Sequence, residues 1–181
     1  MLKFGGALAL ASIAALSLLN LDKLILPAFV TVKALAYYSV AFTLASMLIV
    51  FGKSMIQSLI PAFSQLQGDE RSDARQNLFD RGLRFNIILL IPTLTVLAVI
   101  AKPFFTLWAG EDFGRESILP FYILLPGMFL CIPAFLPHSA IMSAGRTDLF
   151  AKLYFAELVP YILLVTAMTW NLGIIGAAIS W

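Results

Sequence analysis

The sequence predicts an all-α fold, a polytopic bundle of transmembrane helices with about five complete spans and the start of a sixth. Composition is the first observation: of 181 residues, 61% are hydrophobic and only 12% charged, whereas a soluble domain carries about a quarter charged residues. Mean hydropathy is +0.93. Repetition is the second: apolar stretches close to the roughly 20 residues that a helix needs to cross a bilayer recur along the chain. The third is chemical poverty. Cys131 is the only cysteine and lies in an apolar segment, so neither a disulfide framework nor a thiolate metal site can be built. A net charge of +2, spread over several connections, argues against a nucleic-acid partner. One transmembrane domain over residues 1–181 is the simplest organisation, and no cofactor, metal or catalytic residue is expected.

Taken in order, the first span starts at about Phe4 and ends between Leu21 and Val32. Lys3 ahead of it imitates a signal peptide, but the apolar run is too long and no small-residue cleavage site follows. The second runs from about Leu35 to Pro61, and a charged cytoplasmic connection from Ser64 to Arg84 follows, its alternating acids and bases favouring a solvated helix. A third span, about Phe85 to Trp108, closes in a short polar turn, Ala109 to Ser117. The fourth, Ile118 to about Met142, contains Pro120, Pro126, Pro133 and Pro137, so kinks are expected. Ser143 to Asp148 turns the chain into a fifth span, about Leu149 to Trp170, and Gly173 to Trp181 reads as the start of a sixth. Trp108, Trp170 and Trp181 fall near span ends, where interfacial belts collect indoles.

Basic residues give the orientation. Arg71, Arg75, Arg81, Arg84, Arg146 and Lys152 fall in one set of alternate connections and Lys33, Lys102 and Arg115 in the other. The positive-inside rule then puts the first set and the N-terminus in the cytoplasm.

Six short stretches come in a telling order: NLDKLIL, ALAYYSVA, LIPAFSQL, LWAGEDF, SAGRTD and LGIIGAA. Together they resemble the polysaccharide flippases of the multidrug/oligosaccharidyl-lipid/polysaccharide exporter superfamily, over almost the whole chain. The resemblance implies a transporter built of two six-span lobes, of which this chain is similar to the second, lacking the end of its last helix. It implies flipping of a polyprenyl-pyrophosphate-linked oligosaccharide, an O-antigen or exopolysaccharide repeat unit, across the bacterial inner membrane by alternating access. Expected partners are that lipid-linked oligosaccharide, membrane lipids, a missing N-terminal six-span lobe and the polysaccharide polymerase with other assembly proteins. A drug/cation antiporter of the same superfamily is the alternative and would want an acidic cavity. A membrane-embedded glycosyltransferase or polymerase would need an acid/base or metal-binding constellation, and the acids at Glu111 and Asp112 have no histidine or further acid clustered beside them. A non-transporting fragment is a further alternative.

Within the second span, Ser39, Thr43, Ser46, Lys53 and Gln57 fall on one helical face, with Val50 in the gap and Ser54 and Ser58 widening it. Such a stripe suits a wet cavity or a helix neighbour. Lys53 lies roughly 12 Å inside Pro61. Either its stem snorkels to the interface, or its ammonium faces the cavity and, with Gln57, Arg84 and Arg146, attracts the anionic part of a lipid-linked substrate. Arg84 and Arg146 read equally as positive-inside anchors.

Asp22 and Glu157 are the intramembrane acids and the coupling-ion candidates. Asp22 stands roughly 27 Å along a helix from Phe4, so two readings stand: the helix ends there and the acid is interfacial, or it continues to about Val32 and Asp22 faces a cavity. The resemblance favours the second. Neighbouring helix residues point about 100° apart, so Asp22 and Lys23 are expected to find different partners. Glu157 shares a face with Tyr154 and Tyr161, either of which can hydrogen-bond it. His138, beside Pro137, is expected to make a local hydrogen bond rather than relay protons.

Overall fold

The computed structural model describes residues 13, 15–18, 20–65, 72–143 and 147–181. All regular structure among them is helical. Helix α1 is helical at residues 13, 15–18 and 20–25, and a 3₁₀ turn, Leu26–Ala28, follows it. Then come α2 (Val32–Gln57), α3 (Ile60–Gln65), α4 (Ser72–Ala109), α5 (Glu111–Glu116), α6 (Ile118–Ser143), α7 (Thr147–Leu172) and α8 (Ile174–Ser180). Four of these, α2, α4, α6 and α7, are long and apolar enough to cross a membrane. The first expected span lies largely outside the described residues, and only α8 represents the sixth.

Helix α6 is the hub, packing on α2, α4, α8, α3 and α5. Its contact with α2 is close because Gly52 leaves no side chain opposite Ile132, where a Cβ would collide. Leu48 and Ile56 of α2, Leu90 and Phe105 of α4, and Phe121, Leu124, Met128, Ile132 and Leu136 of α6 fill the core. The prolines at 126, 133 and 137 lie inside α6 without ending it. Helix α7 packs mainly on α8. The two are joined at Gly173, whose φ of 59° only glycine adopts without strain.

Two boundaries differ from the sequence reading. Helix α4 has 38 residues, roughly 57 Å against the roughly 30 Å of bilayer hydrocarbon. Its polar first turns, from Ser72 to Arg84, therefore extend the span into water as one continuous helix. The expected polar turn after Trp108 is instead a helix, α5, broken from α4 by Gly110 at φ 99°. Glu111 and Asp112 in its first turn suit the positive end of the helix dipole.

Contacts at the ends fix the antiparallel layout. Lys33 at the start of α2 donates to Asp112 of α5 at 2.9 Å, and Tyr37 meets Phe113 edge-on. Phe29, in the turn before α2, meets Trp170 near the end of α7. At the opposite end Gly82 of α4 lies against Leu59 and Leu136. Trp108 and Trp170 are exposed, as belt residues are. Trp181 is not: it packs edge-on against Phe42 and over Gly127, so its expected place in a belt is corrected.

Candidate functional site

Asp22 lies in the last turn of α1 and is fully buried. The turn through Pro27 brings the start of α2 back beside it. Tyr38 donates its phenol to Asp22 Oδ2 at 2.5 Å, and Lys23 Nζ stands 3.4 Å from Oδ1. The ammonium also lies 3.3 Å above the ring centroid of Phe42, one turn along α2 from Tyr38. Burial of a carboxylate is costly unless it is paired and hydrogen-bonded, and here a cation and a phenol do both.

That geometry revises the sequence reading in two ways. The helix does end close to Asp22, as the interfacial reading has it, yet the acid is interior, as the cavity reading has it. Asp22 and Lys23 also share an ion pair after all: the 100° between adjacent positions separates the Cβ atoms, but the four-carbon lysine stem bends back across it.

Tyr161 of α7 extends the cluster. Its hydroxyl is buried without a hydrogen-bond partner among the described residues, and it lies within electrostatic reach of Asp22, Tyr38 and Glu157. The expected Tyr161–Glu157 hydrogen bond is therefore absent, although Glu157 remains within electrostatic reach of both Tyr154 and Tyr161. Neither Tyr38 nor Tyr161 was singled out by sequence as a partner of Asp22. One signal existed: a phenol in an apolar span needs a hydrogen-bond partner.

The polar stripe on α2 faces away from the core. Ser39 and Ser46 are half-buried, while Thr43, Val50, Lys53, Ser54, Gln57 and Ser58 are exposed. Thr43, Ser46 and Ser54 turn their hydroxyls onto carbonyls of their own helix, each at 2.8 Å. Lys53 has no such recourse. Its ammonium lies 5.5 Å from the ring centroid of Phe135 on α6, and Cys131, one turn earlier on α6, feels the charges of both Lys53 and Glu157. The structure thus groups Lys53 of α2 and Glu157 of α7 around one stretch of α6, whereas Asp22 belongs to the enclosed cluster nearer the Lys33 end. His138 is half-buried and within electrostatic reach of Lys53. Arg84 is exposed on α4, and Arg146 lies outside the described residues.

The family model described as "Polysaccharide biosynthesis protein" matches residues 1–116. The chain belongs to that family. The matched region contains Asp22, Tyr38, the α2 stripe and Arg84; Glu157 and Arg146 lie beyond it. A Shigella flexneri protein that carries the name of an O-antigen transporter is 25% identical over 178 residues, which is 98% of this chain and 42% of that protein. The chain therefore spans about two-fifths of that relative's length. No solved structure matches it. With four span-length helices among the described residues, this member of the polysaccharide biosynthesis family is a multi-pass membrane protein.

Proposed function

We propose that this chain is one lobe of a transporter that flips a lipid-linked oligosaccharide across the bacterial inner membrane, with its N-terminus in the cytoplasm. The observation that carries the reading is the uncovered polar face of α2. A lysine exposed inside a span toward hydrocarbon is expensive, and intramembrane charges face bundle interiors or water-filled cavities. Ser39, Thr43, Ser46, Lys53 and Gln57 would then form one wall of a cavity completed by a second lobe. The family and the name of the Shigella flexneri relative support polysaccharide as the cargo class.

In this reading Lys53 attracts the pyrophosphate or acidic sugars of the cargo, Gln57 and the hydroxyls offer hydrogen bonds to sugar, and the polyprenyl tail stays in lipid. Arg84 extends the cationic surface at the cytoplasmic mouth. Asp22, held by Tyr38 and Lys23 and faced by Tyr161, and Glu157 are the coupling-ion candidates of this reading. Rocking of one lobe against the other moves the cavity, as in transporters built from paired bundles. Polymerase and other assembly proteins would receive the cargo outside. No chemical bond is made or broken, so the chain is not an enzyme in this account.

Complementation in cells lacking their own oligosaccharide flippase tests it, with membrane expression measured in parallel. Lys53→Ala in the full-length protein is expected to reduce surface polysaccharide at least about tenfold at normal expression, on the scale of one lost charge-assisted contact. Lys53→Arg should restore most of it. Full activity of Lys53→Ala would remove the cavity assignment.

A further inference from the structure

At the end of the bundle that carries Arg81 and Arg84, a cleft of about 300 Å³ opens between the end of α2, the link through Ser58 and Leu59, and α4. Its walls are mostly apolar, with Leu59, Leu78 and Phe85 among them, and its polar members are Ser58, Arg81 and Asn86. Asn86 is 1% exposed. Its Nδ2 donates to the carbonyl of Gly52 at 3.4 Å, and its Oδ1 is buried with no hydrogen-bond partner among the described residues. A buried amide oxygen left unsatisfied costs about 1–3 kcal/mol, so a donor that reaches Oδ1 from the cleft by a small shift of its walls recovers that cost. Arg81 is exposed on the same helix, and no ion pair to it is present among the described residues.

Location narrows the occupant. The polar turns of α4 end at Arg84 and its apolar run starts at Phe85, so the cleft straddles the boundary between water and hydrocarbon. An occupant there needs an anionic group for Arg81, a hydroxyl donor for Asn86 Oδ1 and an apolar portion for Leu59, Leu78 and Phe85. We infer that the cleft is a binding site for an anionic phospholipid with a hydroxylated headgroup, its phosphate on Arg81 and a headgroup hydroxyl on Asn86. The volume suits a headgroup with its first acyl carbons, and, resting on the orientation proposed above, the cleft is a basic pocket at the cytoplasmic face, a recognised setting for anionic lipid headgroups. Such a lipid would tie the end of α2 to the first membrane-embedded turn of α4.

Native mass spectrometry of the full-length protein, delipidated and then supplied with defined lipids, provides the test. Phosphatidylglycerol should be retained at least about fivefold more than phosphatidylcholine, and Arg81→Ala should lower that retention about tenfold, as expected for one charge-assisted hydrogen bond. Phosphatidylmethanol keeps the phosphate and lacks the glycerol hydroxyls. The unaltered protein should prefer phosphatidylglycerol over it about fivefold, and Asn86→Leu should bring that ratio to about one. The ratio is taken within a variant, so a reduced folded fraction leaves it intact. Equal retention of phosphatidylglycerol and phosphatidylcholine, no effect of Arg81→Ala, or displacement by millimolar glycerol phosphate would overturn the inference, the last by identifying a soluble phosphate site.

Discussion

Asp22 and Lys53 are both charges set within apolar helices, and the fold treats them oppositely. Around Asp22 the chain supplies everything a buried charge requires: a phenol from Tyr38, an ammonium from Lys23 and complete removal from solvent. Around Lys53 the described residues supply the ring of Phe135 and leave the side chain exposed. A charge satisfied from within can serve the folding of the lobe itself. One left unsatisfied looks to something outside the chain, whether a second lobe, water or an anionic cargo.

The largest effect expected from breaking that contrast is on stability. Asp22→Ala strands Lys23 and Tyr38, and removing one partner of a buried pair costs about 3–5 kcal/mol. Thermal unfolding of the purified full-length protein in detergent should show this, while Lys53→Ala stays within about 0.5 kcal/mol, as surface substitutions do. Adding Lys23→Met to Asp22→Ala should recover part of the loss, because the uncompensated cation is gone. Comparable losses for Asp22→Ala and Lys53→Ala would erase the distinction between the two sites.

Tyr38→Phe sharpens it at the next level. The phenol donates to a carboxylate, and such a bond is worth about 1.5–3 kcal/mol, so a loss within that range is expected by the same assay. A loss no larger than that of Tyr122→Phe would mean that the Tyr38 bond carries no special weight, since Tyr122 donates only to the carbonyl of Ala98 and is exposed.

How far these sites could be read from sequence follows from where their partners lie. The α2 stripe was legible because its residues share one element and a helical period is enough to align them. The spans were legible by hydropathy, and α2, α6 and α7 begin and end within a few residues of expectation. Asp22 was visible as an oddity, but its environment was not. Tyr38 reaches it only because the chain turns at Leu26–Ala28 and folds α2 back, a long-range event that no local pattern encodes. Asn86 was missed for the same reason: its significance lies in a cleft between α4 and the end of α2. Helix α5 reads as a polar turn in the sequence because six residues rich in charge carry little helical periodicity and its packing partners lie on α4, α6 and α2.

The smallest predicted effect concerns that outer ion pair. The hydrogen bond from Lys33 holds the Asp112 carboxyl below its ordinary range, and Lys33's charge adds to this. Since the value in the fold is lower than in the unfolded chain, the contribution to stability is complete above the ordinary carboxylate value of about 4 and is lost as pH falls through the depressed one. Both side chains are exposed, so the effect is slight and salt-sensitive. Asp112→Asn should flatten the small acid-side loss of melting temperature measured between pH 6 and pH 3, an interval chosen about that value. An unchanged acid profile would show that the pair contributes nothing.

Thiol accessibility in intact membranes tests most directly the claim that the uncovered face of α2 looks onto an aqueous cavity. In the full-length protein with Cys131→Ala, a cysteine is introduced in turn by Ser46→Cys, Lys53→Cys, Val99→Cys and Leu163→Cys, and each is exposed to a hydrophilic maleimide. Val99 and Leu163 are 71% and 66% exposed on the apolar faces of α4 and α7. Rapid labelling at positions 46 and 53, with little at 99 and 163, is the predicted result. Labelling at 46 and 53 no faster than at the two apolar positions would contradict it.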